Sequence, residues 1–422
     1  MQPNRFYALI LAVTCAWTLA ACGGGSGGAP ADVSETPPAP SVAPDQPTYT
    51  GTTHDVTSSA DSGAGSLREC LSLCVSGDRI EFDDTMSGVT IEVNSPLVID
   101  CDIHIQGPPS RDLRISGEGR SRVLEVEAGV TAVIRDLWIQ NGSESSAAGI
   151  ELDGAVLFLE RVVIHDNAVS STVGRGGGIQ TLNASTLVMT DCIVQRCEAF
   201  NGGGIAHDGG LLIARRCAFV ANNTTGNAGA AVVTQARCMF ENCIFEGNVA
   251  PGGWGGAIFI SGGDDDGDVT MIHCTLDNNE AEEGGAIANS EGVLRLFGVA
   301  IGAHTTLDPA VNADVHQDLG VLVVRNTYIS NGSNTPIVDG IDGNRAGTTA
   351  APLDLGLMSL TDLGGPIPHM ILETTSILID SISPLESLNL DGQPLLEDSS
   401  GNTRPAGAAS DIGSTEARAE LR

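Results

Sequence analysis

Lysine is absent from all 422 residues, so the 20 basic side chains are all arginine, set against 53 acids for a net charge of −33. Without lysine there is no Schiff-base chemistry and no phosphate loop of the Walker type. With so few bases the chain repels nucleic acid and anionic lipid headgroups. Aromatic residues are also scarce, at 4%. Long apolar runs are confined to the first two dozen residues. Glycine is the reverse case: its 53 residues are about 13% of the chain, roughly twice the usual ~7%. At 41% hydrophobic the chain is too apolar to be wholly disordered. This balance points to many short strands joined by tight turns.

The apolar N-terminal run extends from Phe6 to about Ala21 behind a single base, Arg5. It has the layout of a secretory signal and is short for a membrane span. Its end, Leu19-Ala20-Ala21-Cys22, resembles the bacterial lipobox, in which the cysteine is lipidated and becomes the mature N-terminus. The resemblance implies a lipoprotein signal peptide over 1–21 and a lipid on Cys22. Gly23 in the following position implies the outer membrane. Loss of Arg5 and of no acid takes the net charge to −34. Residues 22–50, rich in Gly, Ser, Ala and Pro, read as a disordered tether.

Beyond residue ~80 the sequence repeats every 25–31 residues, a solenoid period. Small residues precede Ile or Val in runs ending at Ile150, Ile179, Ile205, Val232, Ile258 and Ile287, spaced 29, 26, 27, 26 and 29. Between these runs lies a reference column of Leu137, Val162, Cys192, Cys217, Cys243, Cys274, Val299 and Thr327. The columns two residues after it, three before it and five before it are almost purely apolar. Spacing by two marks strands that bury the same face in every repeat, and the odd step between pairs marks a bend. About three strands per repeat make one coil of a parallel β-helix. The expectation is an all-β, right-handed, single-stranded parallel β-helix of the pectin-lyase type over 79–332, with about 8–9 coils. Asn167, Asn222, Asn248 and Asn279, five residues after the reference, suit left-handed corners with amides bonded along the axis.

Ser66-Leu67-Arg68-Glu69 is a capping box opening a short helix, which predicts an N-terminal cap over 51–78. Residues 333–422 leave the coil register. An apolar outer stripe, including Val133, Phe158, Val188, Ile213 and Met239 and, on the next strand, Ala218 and Ile244, needs a cover. The C-terminal segment is expected to provide it, with a self-association face as the rival.

The stretch Gly65-Ser66-Leu67-Arg68-Glu69 followed by Gly77-Asp78-Arg79-Ile80-Glu81-Phe82 resembles the SLREA-type start of large bacterial surface β-helix proteins. The GGAI runs at 255–258 and 284–287 and the F-x-x-N runs at Phe219 and Phe245 are similar to the repeats of polymorphic outer membrane proteins. Thr403-Arg404-Pro405-Ala406-Gly407 with Asp411-Ile412-Gly413 resembles the closing segment of β-helix proteins with a choice-of-anchor C-terminus. These resemblances imply a fold and an exposed location, with no defined reaction.

Parallel β-helices that act on acidic polysaccharides need clustered carboxylates on one flank, often Ca²⁺, and an Arg or Lys. The outward residues Arg135, Glu160, Thr190, Arg215, Glu241, Ile272, Phe297 and Arg325 accumulate no single type. No catalytic residue and no metal ligand is therefore assigned. The acidic run Asp264-Asp265-Asp266-Gly267-Asp268 reads as a solvated loop, with Ca²⁺ the one cofactor left open. A bridge among Cys70, Cys74 and Cys101 is left open, as is the redox state of the Cys192/Cys217/Cys243/Cys274 ladder. The expected role is a lipid-anchored envelope protein of the bacterial outer membrane, on its surface or periplasmic face. Its expected work is adhesion, scaffolding or glycan binding without catalysis, on a polysaccharide or surface-protein partner. Membrane contact is expected only through the anchor, and nucleic acid is excluded. The alternative is a Ca²⁺-assisted polysaccharide lyase or glycoside hydrolase.

Overall fold

A computed structural model describes residues 44–417 except 263–266, 309–312 and 363–366. The signal segment, Cys22 and most of the acidic loop lie outside the described residues. Every named strand pairs in parallel with its equivalent one repeat away, and the strands stack into four sheets. Sheet I has eleven strands, from Thr53–Val56 to Val321–Arg325, and sheet II has eleven, from Thr90–Glu92 to Arg345–Ala346. Sheet III has nine strands built on the Gly-Ile runs, and sheet IV has seven, mostly of two residues. Eleven strands give ten steps, about 48 Å at ~4.8 Å per step. The structure thus has about ten turns where the periodicity suggested 8–9. The extra turns come from 53–116, where loop lengths vary and hide the columns.

The strand register reproduces the four apolar columns. Leu157 pairs with Leu187, Leu187 with Leu212 and Leu212 with Cys238 in sheet I, and Ile164 with Val194 and Val194 with Phe219 in sheet II. One small-residue run is corrected. Ile205 pairs with Ala231 and not with Val232, because the coil turns at positive φ on Gly202 (+64°), Ala228 (+55°) and Gly255 (+70°). That alignment gives spacings of 26 and 27 around residue 231, and Val232 faces out among Ala228, Phe259 and Ala288.

Sheet IV follows the asparagine column, but the left-handed corners fall one residue before it, at Asp166, Ala221, Gly247 and Asn278, which leaves each asparagine extended and its amide turned to the adjacent coil. Asn248 Oδ1 accepts from Asn222 N (3.1 Å) and Asn222 Nδ2 (3.0 Å), and Asn248 Nδ2 donates to Phe219 O and Asn279 Oδ1 (both 2.9 Å). Each amide holds its own corner and the next one, so the two residues after it continue the ladder. Cys197 and His304 occupy the same column on other coils, and His304 Nδ1 accepts from Asn279 N at 3.1 Å. Asn248→Ala leaves buried groups unpaired on two coils and should cost about 2–4 kcal/mol. A fall in the urea midpoint measures this, and an unchanged midpoint would remove the ladder from the account of stability.

The cap helix spans Leu67–Leu73, with Ser66 accepting from Glu69 N and burying Leu67, Cys70 and Leu71. Glu69 Oε2 reaches back to Gly65 N at 2.6 Å. All nine cysteines from Cys70 onward are free, including the buried ladder. Cys192, Cys243 and Cys274 donate to carbonyls of the preceding coil at 3.4 Å.

The C-terminal segment lies along the apolar stripe. Ile367 and Met370 are buried with Ala218 and Ile244. Leu355, Leu372, Leu378, Ile382 and Ile412 are buried with Ala300. Leu390 is buried with the outer stripe, its amide donating to Glu241 on the strand that carries Met239. A fully buried guanidinium fastens the segment. Arg404 donates to His273 Nδ1 (2.8 Å), Asp411 O (2.8 Å) and Gly413 O (2.9 Å) and faces Glu416 at 3.3 Å. Among the described residues, no helix is long and apolar enough to cross a membrane.

Candidate functional site

The outward ladder of sheet I places Arg135, Glu160, Thr190, Arg215 and Glu241 on successive rungs, because each occupies the same register position of its strand. Phe158 and Val188 form the floor beside them. The walls come from outside the coil. Pro44, Asp45 and Gln46, which composition assigns to the tether, lie on one side, and Asp391 of the C-terminal segment lies on the other. The resulting groove has a volume of about 480 Å³.

Its polar groups are held in place. Arg135 Nη2 donates to Gln46 Oε1 (2.6 Å), and Gln46 Nε2 donates to Glu160 Oε1 (3.1 Å). Arg135 and Arg161 flank Glu160 at 2.9 and 3.5 Å. Arg215 faces Asp391 at 3.6 Å and Glu241 at 4.0 Å. Tyr49 anchors the N-terminal wall through its hydroxyl to Thr131 O at 2.9 Å. Burial raises the Glu241 carboxyl, against the Leu390 amide that donates to it at 2.8 Å and the nearby Arg215. Three acids and one arginine line the groove, so it does not favour a polyanion. Paired guanidinium and carboxylate groups instead present fixed donors and acceptors to hydroxyls.

A second pocket, of about 350 Å³, lies where residues 352–355 and Leu357 cross sheet II beside Asp277, Gly302 and Ser330. Glu246, outside that lining, is the register partner of Asp277 on the preceding coil, with backbones one strand spacing of about 4.8 Å apart. Burial pushes Asp277 up to about 6, against an Ala303 N–H bond of 3.0 Å, and Glu246 adds to the rise. Burial also raises Glu246, against its Asn278 hydrogen bond. A side chain at 302 would collide with Asp277 Oδ1. Two neighbouring carboxyls of this kind can share a proton near neutral pH. This pair is invisible among the outward residues of sheet I, because Glu246 and Asp277 sit three residues after the reference column, on sheet II.

Of the acidic run, Asp268 is drawn into ion pairs with Arg295 and with Arg237 (3.9 Å). Asp264, Asp265 and Asp266 lie outside the described residues. One cluster escaped the sequence reading altogether: ligand atoms of His54, Cys74 and Asp78 lie within 4.8 Å of one another. No metal-ligand spacing links these positions in sequence.

Buried titratable groups set the pH response of the fold. Burial pushes Asp314 up to about 8 from 3.8, against the Asn331 N–H that it accepts. A raised carboxyl holds its proton in the folded chain, so its contribution is complete below pH ~4 and is lost as pH rises towards 8. Burial lowers His104 and His207 to about 4 and His304 to about 3. These remain neutral when folded, and their cost grows as pH falls below ~6.5, where the unfolded chain takes up protons. Stability should therefore peak near neutral pH. Asp314→Asn should flatten the alkaline limb, and thermal melts from pH 5 to 9 will show whether it does.

No curated protein sequence matches the chain. Among solved structures, pectate lyase Pel9A aligns over 88% of this chain and 98% of its own length, with 12% identity and a TM-score of 0.44. The PL6-family alginate lyase AlyGC aligns over 81% of this chain and 58% of its own length, with 10% identity and a TM-score of 0.27. The model of the right-handed β-helix region matches residues 81–296, just over half the chain. The chain belongs to the right-handed β-helix family.

Proposed function

We propose that this is a β-helix protein of the bacterial envelope, held at the outer membrane by a lipid on Cys22, that binds a hydroxyl-rich glycan without cleaving it. The observation that carries the reading is the in-register run of Glu160, Thr190 and Arg215, walled by Gln46 and Asp391. Its rung spacing of ~4.8 Å is close to the length of one pyranose residue. An extended glycan laid along the axis would meet one polar side chain per sugar. Glu160, Glu241 and Asp391 each face an arginine, which suits them to hydrogen bonding and not to proton abstraction.

The test is the purified protein against a polysaccharide panel, with and without Ca²⁺, scoring binding and product release separately. Binding of neutral glycans that survives chelation, with no product, supports the reading. Chain cleavage would replace it with the second reading, a Ca²⁺-assisted lyase or glycoside hydrolase. The Glu246–Asp277 pair favours that second reading, because hydrolysis calls for two neighbouring carboxyls of which one stays protonated. Under it, Asp277→Asn abolishes product release. The anchor is tested apart: Cys22→Ser should release the protein from the membrane fraction.

A further inference from the structure

The inward positions of the coil are apolar along most of its length, but the first turn breaks the rule. Asp78 opens the strand Asp78–Phe82, and its register partner on the next coil is Ile103, followed by Ala132. His54 pairs with Ile80 in the same inward set, and Cys74 caps the C-terminus of the cap helix above them. Asp78 is buried, while His54 and Cys74 are half-buried, which leaves a route to solvent. The His54 Nε2 to Asp78 Oδ2 contact is 2.9 Å, and Asp78 also accepts from Thr52 N (2.8 Å) and Val75 N (3.1 Å). Those amide bonds explain a carboxylate at 78. They require neither a thiol at 74 nor an imidazole at 54.

We propose that His54 Nε2, Cys74 Sγ and an Asp78 carboxylate oxygen form a site for a thiophilic divalent cation, Zn²⁺ by its chemistry, that clamps the cap onto the first coil. A nitrogen, oxygen and sulfur donor set matches zinc and not the all-oxygen shells of Ca²⁺ or Mg²⁺. Bond lengths of about 2.0–2.3 Å place tetrahedral ligand atoms roughly 3.3–3.6 Å apart. The His54–Asp78 edge is already near that value, with the metal taking the place of the shared proton. The remaining edges, at most 4.8 Å, close by side-chain rotation. Cys101 or water completes the fourth position. The thiol of Cys101 stands near Cys74 and Asp78, and Asp100 lies near both cysteines, so the surroundings favour a cation. Burial, with Cys101 and Asp78 beside it, pushes Cys74 up to about 12. Metal binding must therefore release the thiol proton and weaken as pH falls.

The test is Co²⁺ titration of the chelator-treated protein, followed by Zn²⁺ competition. One Co²⁺ per chain with a thiolate-to-cobalt charge-transfer band is expected. Cys74→Ser should lose the band, and His54→Ala should weaken binding at least about tenfold. Because a variant can fail to fold, the wild-type protein carries a second readout: equimolar Zn²⁺ should protect Cys74 from alkylation, mapped by mass, and raise the unfolding temperature. Three results would overturn the site. These are a charge-transfer band retained in Cys74→Ser, Cys74 alkylation indifferent to Zn²⁺, or a Cys74–Cys101 disulfide in protein purified with its thiols blocked.

Discussion

Arg404→Ala should destabilise the protein by about 3–5 kcal/mol, because removing one partner of a buried ion pair leaves the other buried without its countercharge. The guanidinium is fully buried and binds two carbonyls, a histidine and Glu416 at once. Burial first, and then the Arg404 charge, holds His273 well below its usual range, so it is neutral. With Nδ1 accepting from Arg404, its proton lies on Nε2 and bonds Ser387 Oγ at 3.0 Å. The same clasp seats Gly413 N on Gly298 O (2.9 Å) and Ser414 N on Thr275 Oγ1 (2.8 Å). Its loss should free the C-terminal segment and uncover the apolar flank. A hydrophobic dye should then bind below the main unfolding transition. Arg404→Lys keeps the charge but cannot reach all the acceptors, and should fall between the two. A loss below about 1 kcal/mol for the alanine variant would mean that the buried network does not fasten the segment.

Phe240→Ala should cost about 3–5 kcal/mol through transfer and cavity terms together. Three of the chain's fifteen aromatic residues meet here. Phe219 and Phe245 stack with centroids 4.8 Å apart, and Phe240 meets them edge-on at 5.9 and 5.2 Å. All three are fully buried between coils, so the interior has little freedom to collapse around a void. Phe240→Leu should recover more than half of the loss. Denaturant midpoints of the two variants measure both numbers, and equal midpoints would argue for a loosely packed coil centre.

The fold was legible because stacking repeats one physical demand on every coil. An inward slot accepts only apolar side chains, so Leu157, Leu187 and Leu212 announce their alignment without any knowledge of the turns between them. Where loops vary, as before residue 116, the columns lose their period, which hides one or two turns. The slip at Val232 has a related cause. Apolar identity marked that run, but the coil is registered by the positive φ of Ala228, which composition does not reveal. The groove was only half legible. The ladder from Arg135 to Glu241 is visible in sequence, but its walls come from residues 44–46 and 391, more than 80 positions away from the rungs that they face. The His54, Cys74 and Asp78 cluster follows no motif, because it joins a strand, a helix end and a second strand whose separation is set by the cap.

The central claim is that the groove over sheet I is where a glycan binds. It is tested most directly by filling the groove without disturbing the coil. Thr190 is half-buried on the outward ladder, so Thr190→Trp should place an indole across the rungs between Glu160 and Arg215. Calorimetric titration of the best glycan from the panel against the wild-type and variant proteins gives the answer. The account predicts saturable binding by the wild type and at least a tenfold loss (about 1.4 kcal/mol) in the variant, with the melting temperature unchanged. Equal affinity in the two proteins would place the binding surface elsewhere and contradict the account.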